Sequence, residues 1–263
     1  MSTTAVSFAA AGAIAVCSLI AAAQPPTMSP VDHPDLVQRF LTSDEASAIA
    51  YQAKRHLEAR NERFNTDGWL DACTELTPGG EFRYRVIAEG GSGLIRGRVL
   101  KDALESEREA WRNGEIDGSA LGPANYVFQA TDGTDGDLRM VVLKPRRKSR
   151  MLVDGVMFLR PPDGDLVRVE GTLAKGPSFW TPRVDVIRRY ARIAGVRVPV
   201  ALESVAHVRM VGRSSFRMSY QYLSVNGRGL DGERDACATV ETGTPSSLTP
   251  AVASGERPGS HVD

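Results

Sequence analysis

Residues 138–223 read LRMVVLKPRRKSRMLVDGVMFLRPPDGDLVRVEGTLAKGPSFWTPRVDVIRRYARIAGVRVPVALESVAHVRMVGRSSFRMSYQYL. Short runs of alternating apolar and polar residues are divided by turn signals, and helical period is almost absent. Leu138, Met140 and Val142 alternate with Arg139 and Val141; Phe216, Met218, Tyr220 and Tyr222 alternate with Arg217, Ser219 and Gln221. Side chains of a strand point to opposite faces at period two, so one face of such a sheet is apolar and the other wet. Pro162-Asp163-Gly164 marks a hairpin turn, because proline presets φ and glycine accepts a positive one. This stretch sets the fold class as α+β, dominated by a large antiparallel sheet.

The strands continue on the N-terminal side. Trp69–Leu76 and Phe82–Val86 flank the turn Pro78-Gly79-Gly80, and Tyr126–Ala130 precedes the quoted stretch. With Leu138–Lys144, Met151–Leu159, Leu166–Leu173, Val184–Ile193, Val196–Val211 and Ser214–Leu223, about nine strands are expected. Two helices accompany them. The first is read from Thr42, whose spacing to Glu45 is that of a capping box, with Ala46, Ile49, Ala50, Ala53 and Leu57 on one stripe. The second runs over about Ile95–Asn113, with Ile95, Val99, Leu100, Ala103, Leu104 and Trp111 on its apolar side.

Length and composition bound the rest. A chain of 263 residues with 42% hydrophobic content supports one sizeable core or at most two. Formal net charge is +0, which argues against a nucleic-acid partner, since phosphate neutralisation needs a basic surplus. A local basic cluster, Lys144, Arg146, Arg147, Lys148 and Arg150, reads as a solvated loop in preference to a phosphate or anionic-lipid contact.

Residues 1–23 carry no charged side chain and end in Ala21-Ala22-Ala23, which fits a cleaved signal peptide. An uncleaved anchor is the competing reading, and alanine richness counts against it. Residues 24–41 read as a leader, 42–225 as the folded domain and 226–263 as a flexible tail poor in large apolar residues. The expected address is therefore the periplasm or cell envelope. After cleavage Cys73 and Cys237 remain, either bridged or as two separate thiols.

Catalytic motifs are missing. The sequence has no GxSxG elbow, HExxH, calcium loop or phosphate loop, and Glu89-Gly90-Gly91-Ser92-Gly93 fails the dinucleotide spacing. His207 falls in ordered sheet and reads as an exposed strand histidine. No cofactor and no enzymatic activity are expected. What is abundant is aromatic and apolar material: Phe82, Tyr84, Val86, Tyr126, Phe128, Phe216, Met218 and Tyr220 are assigned to inward faces, as the lining of a hydrophobic-ligand site or as a filled core.

The order of elements resembles the half-open barrel of bacterial outer-membrane lipoprotein-sorting proteins, the periplasmic lipoprotein carrier and its outer-membrane receptor. The likeness covers about residues 40–224. Its most suggestive parts are Asp154-Gly155, Gly164-Asp165-Leu166-Val167-Arg168-Val169-Glu170-Gly171, Ser178-Phe179-Trp180 and Val198-Pro199-Val200. That resemblance implies a curved half-barrel whose concave apolar face, covered by two helices, holds acyl chains. The partners it implies are a lipid or the acyl chains of a lipoprotein. The alternative is an envelope interaction module with no internal ligand, which contacts a protein partner through its loops or tail.

Overall fold

A computed structural model describes residues 33–42, 50–230 and Cys237. Helix α1 (His33–Thr42) comes first. Ten antiparallel strands follow: β1 (Tyr51–Asn61), β2 (Thr66–Leu76), β3 (Phe82–Gly91), β4 (Tyr126–Asp135), β5 (Leu138–Pro145), β6 (Val153–Arg160), β7 (Asp165–Leu173), β8 (Arg183–Ile193), β9 (Val196–Val208) and β10 (Gly212–Val225). A two-residue strand, β11 (Arg228–Gly229), pairs with β10. Between β3 and β4 the chain is helical in three consecutive parts: α2 (Gly93–Ile95), a π-helical segment (Arg96–Lys101) and α3 (Asp102–Arg112).

The sheet order is β3-β2-β1-β10-β9-β8-β7-β6-β5-β4, so β3 and β4 are its two open edges. Every neighbour is a hairpin partner except β1 and β10, which pair over the full length of β1. This is the expected open, mainly antiparallel half-barrel. Nine of its strands are those read from the sequence.

The tenth corrects the reading of residues 42–58 as a helix. Tyr51–Asn61 is β1, and its side chains alternate strictly between covered and outward positions. Tyr51, Ala53, Arg55, Leu57, Ala59 and Asn61 face inward. Glu45, half of the proposed capping box, lies outside the described residues, as do the proposed signal peptide and most of the tail. The first helix is instead α1, inside the segment read as a leader. Leu36 and Phe40, one turn apart, are its buried anchors. Phe40 meets Phe128 of β4 at 6.1 Å between ring centroids, and the Arg197 guanidinium lies 4.8 Å from the Phe40 ring.

The second helix is placed as expected, with one refinement. Its π-helical turn brings Ile95 and Leu100, five residues apart, onto the side that Leu104 continues. These three are buried against Leu57, Leu70, Ala72 and Met218 of β1, β2 and β10. A second cluster joins Tyr51, Leu76, Phe82, Val196, Val198 and Tyr222.

Cys73 and Cys237 are bridged, with Cα atoms 5.5 Å apart. Cys73 alternates with the buried Ala72 and Thr74, so the bridge ties the C-terminal segment to the outward side of β2. It closes a loop across a sequence separation of 164 residues. On the chain-entropy model a loop of that length stabilises the fold by at most about 5 kcal/mol.

Candidate functional site

Cross-strand register places all eight residues assigned to inward faces on one side of the sheet. Phe82, Tyr84 and Val86 stand opposite Leu76, Thr74 and Ala72 on β2. Those three lie opposite Tyr51, Ala53 and Arg55 on β1. Phe216, Met218 and Tyr220 in turn oppose Ala59, Leu57 and Arg55. At the other edge Tyr126 and Phe128 oppose Pro145 and Leu143, and Leu143 leads through Gly155 and Gly171 to Val186 on β8. Phe82, Tyr126 and Met218 are buried, while Tyr84, Val86, Phe128, Phe216 and Tyr220 keep part of their surface.

This is the side that the helical stretch and α1 cover. Arg188 on β8 and Tyr190 after it act electrostatically on Tyr126 of β4, four strands away. Arg188 also acts on Tyr220 of β10, on its other flank. Gly155 and Gly171, directly opposed on β6 and β7, let the two backbones come close together. A Cβ on Gly155 would run into the Glu170 carbonyl, and one on Gly171 into the Asp154 carbonyl.

The helical stretch covers only part of the hollow, with its buried side on β1, β2, β3 and β10. Arg188 and Tyr220 are set deep in the protein, yet both retain accessible surface. Val200, Leu202 and Phe216 beside them are likewise only partly covered.

Arg55 and Arg188 stand on this face, and both were overlooked at the sequence level. Arg55 is buried to 1%. Its Nη1 donates to Glu107 Oε2 at 2.6 Å, and its Nη2 donates to Glu107 Oε1 at 3.0 Å and to the Tyr51 hydroxyl at 2.6 Å. The guanidinium also lies 4.6 Å from the Tyr220 ring centroid and 5.1 Å from that of Phe82. Burial works against its charge, but the Glu107 carboxylate prevails and holds Arg55 more firmly protonated than usual. The pair pins α3 to the sheet.

Arg188 differs. Its strongest electrostatic neighbours are the hydroxyls of Tyr190, Tyr220 and Tyr126, with no carboxylate among them. Tyr190 raises its pKa first, against burial. The hollow thus contains one arginine neutralised by a helix carboxylate and another surrounded by phenols.

His207 is half exposed, with Nε2 at 3.4 Å from Asp185 Oδ2, and its register neighbours are Arg183 and Arg213. Burial disfavours the Asp185 carboxylate, but hydrogen bonds from Thr172 and Arg183 hold its pKa below the usual value. These contacts suit an outward ion-pair cluster. Among the described residues no group of His, Cys, Asp and Glu has a metal-holding arrangement.

No protein-family model matches the chain, and no curated protein matches it in sequence. Solved structures do. One is a candidate outer membrane lipoprotein-sorting protein domain from Vibrio parahaemolyticus, at 11% identity and TM-score 0.42, over 77% of this chain and 95% of that one. A LolA superfamily protein from Nitrosomonas europaea shares 9% identity at TM-score 0.36, over 75% and 94%. A DUF1329 family protein from Desulfovibrio piger shares 12% at TM-score 0.37, over 79% and 96%.

Proposed function

We propose that the chain is an exported, non-enzymatic binding protein of the cell envelope. It takes a lipid or other acyl-bearing amphiphile into the hollow of its half-barrel, as a carrier or sensor. The observation that carries this reading is the partly covered inner face, where Phe216, Leu202 and Val200 adjoin the partly exposed Arg188 and Tyr220. Apolar walls with a few convergent polar groups are the usual form of a small-molecule site. The acyl part lies along the aromatic and aliphatic wall. Its polar, anionic end meets the Arg188 guanidinium, which can then exchange phenol neighbours for a charge-assisted hydrogen bond. Export is supported by the uncharged, alanine-terminated residues 1–23 and by the Cys73–Cys237 bridge, which suits an oxidising compartment.

Native mass spectrometry of the purified protein, followed by titration of the delipidated protein with a dansyl-labelled fatty acid, tests the reading. Co-purified amphiphile and saturable probe binding are expected. Leu202→Arg should abolish the binding, and Arg188→Leu should weaken it by about tenfold or more. A protein that carries no lipid and takes up no probe would overturn the proposal.

A further inference from the structure

The turns at the two ends of the sheet differ sharply in character. One end carries the turns β1–β2 (62–65), β5–β6 (146–152), β7–β8 (174–182) and β9–β10 (209–211), together with the start of α2. Five large hydrophobic residues of the described chain are more than half exposed: Phe64 59%, Leu94 73%, Phe179 69%, Trp180 54% and Met210 77%. All five lie at this end. Scattered exposed apolar residues need no explanation, but their concentration on one rim does.

Charge divides the same way. The four turns hold Arg146, Arg147, Lys148 and Arg150 in one, with Lys175, Arg63 and Arg209 distributed over the other three. Within these four turns the seven cations face a single carboxylate, Glu62, which pairs with Arg213 at 3.4 Å; the β3–β4 connection, which meets the same end where Arg147 donates to the Gly118 carbonyl, adds Glu115 and Asp117. The turns of the opposite end (77–81, 136–137, 161–164, 194–195 and 226–227) hold Glu81, Asp137 and Asp163 and no cation. A chain of zero net charge therefore presents one strongly positive rim.

Contacts join the rim into a continuous surface. The Arg209 backbone N–H donates to the Trp180 carbonyl at 2.7 Å, and the Arg209 guanidinium lies 4.2 Å from the Phe179 ring centroid. Phe179 and Trp180 meet edge to face at 5.4 Å. Arg63 donates to the Met210 carbonyl and lies over the Phe64 ring. Between the β5–β6 and β7–β8 turns is an open pocket of about 310 Å³ lined by Lys148, Arg150 and Lys175 with Ser149, Gly176 and Pro177. No acidic residue lines it.

We infer that this rim docks the protein onto the surface of an anionic lipid bilayer. The cations meet the negative surface potential, the Lys148–Arg150–Lys175 pocket receives a phosphate headgroup, and Phe179, Trp180, Met210, Phe64 and Leu94 enter the interfacial region. Trp and other amphipathic aromatics favour that depth, and basic side chains snorkel to the headgroups around them. The inference goes beyond ligand binding in the hollow and rests on different residues.

Flotation of the full chain with vesicles tests it, using phosphatidylcholine alone and phosphatidylcholine with about a third phosphatidylglycerol. Association with the anionic vesicles is expected, falling with salt, and the emission of Trp180 should shift to the blue. A Trp180→Phe variant should lose that shift. Lys148→Ala, Arg150→Ala and Lys175→Ala combined should weaken association on the order of a hundredfold, and Phe179→Ala with Trp180→Ala should weaken it by about tenfold or more. Both sets of variants should retain the wild-type far-UV spectrum and fatty-acid probe binding. Their loss of docking with probe binding intact therefore separates this inference from the function proposed above. Wild-type protein that ignores anionic vesicles, or rim variants that bind them undiminished, would overturn it.

Discussion

At the scale of single residues, Arg55 carries the most weight. A buried guanidinium is tolerated only while its partner remains, because removing one member leaves an uncompensated charge in a poorly solvated place. Glu107 is a quarter exposed, so water can relieve part of the loss. Glu107→Ala is expected to destabilise the fold by about 3 kcal/mol, read as a lower urea midpoint. The double variant Arg55→Leu with Glu107→Leu should recover a good part of that loss. Equal destabilisation by the single and double variants would show that the pair acts through packing alone. Arg55 also explains why β1 was hidden. In Tyr51-Gln52-Ala53-Lys54-Arg55-His56-Leu57-Glu58-Ala59 the inward row is apolar at period two except at Arg55. A charge at the centre of that row breaks the alternation on which a strand is recognised. The alanines then favour a helical stripe, which tertiary pairing with β2 and β10 overrides.

At the scale of elements, the β6–β7 pairing depends on two opposed glycines. Gly155 and Gly171 let two backbones approach where side chains would hold them apart. Gly155→Ala should therefore cost about 2 kcal/mol or more, visible as a lower thermal midpoint. The control is Gly97, in the helical stretch, where an added Cβ meets nothing within 4 Å. Gly97→Ala should stabilise by about 0.5–1 kcal/mol. Similar effects from both substitutions would mean that the β6–β7 approach is not tight. Opposed glycines on successive strands are not readable as a pair until register is known. In the sequence, Gly155 and Gly171 are only breaks in otherwise apolar runs.

At the scale of the whole molecule, the hollow gathers buried phenols. Burial raises the pKa of Tyr51, Tyr126, Tyr220 and Tyr222 above the ordinary value of 10.0, with nearby arginines only partly offsetting it. In the unfolded chain these groups lose their protons near pH 10, while in the fold they keep them. The native state then binds more protons than the unfolded state, so stability is fully present below pH 10 and declines as pH rises beyond it. Urea midpoints should be level from pH 8 to about 9.5 and fall steeply above pH 10, with tyrosinate absorbance lagging behind that of a denatured control. Absorbance that follows the control through pH 10 would place these phenols in water.

The sequence by itself determined the class of fold, nine of the strands, the second helix and the placing of eight aromatic and apolar side chains on one face. Each of these follows from local period-two or helical patterning and turn chemistry, which a single segment carries. Only the tertiary structure decided that Tyr51–Asn61 is a strand, that α1 is an ordered helix, and that Arg55 and Arg188 stand inside. It also closed Cys73 on Cys237 and gathered five exposed hydrophobic residues with seven cations on one rim. Those features depend on which strands become neighbours and on how far the sheet curls. Both are settled by contacts between residues far apart in the chain, such as β1 with β10, and no local pattern records them.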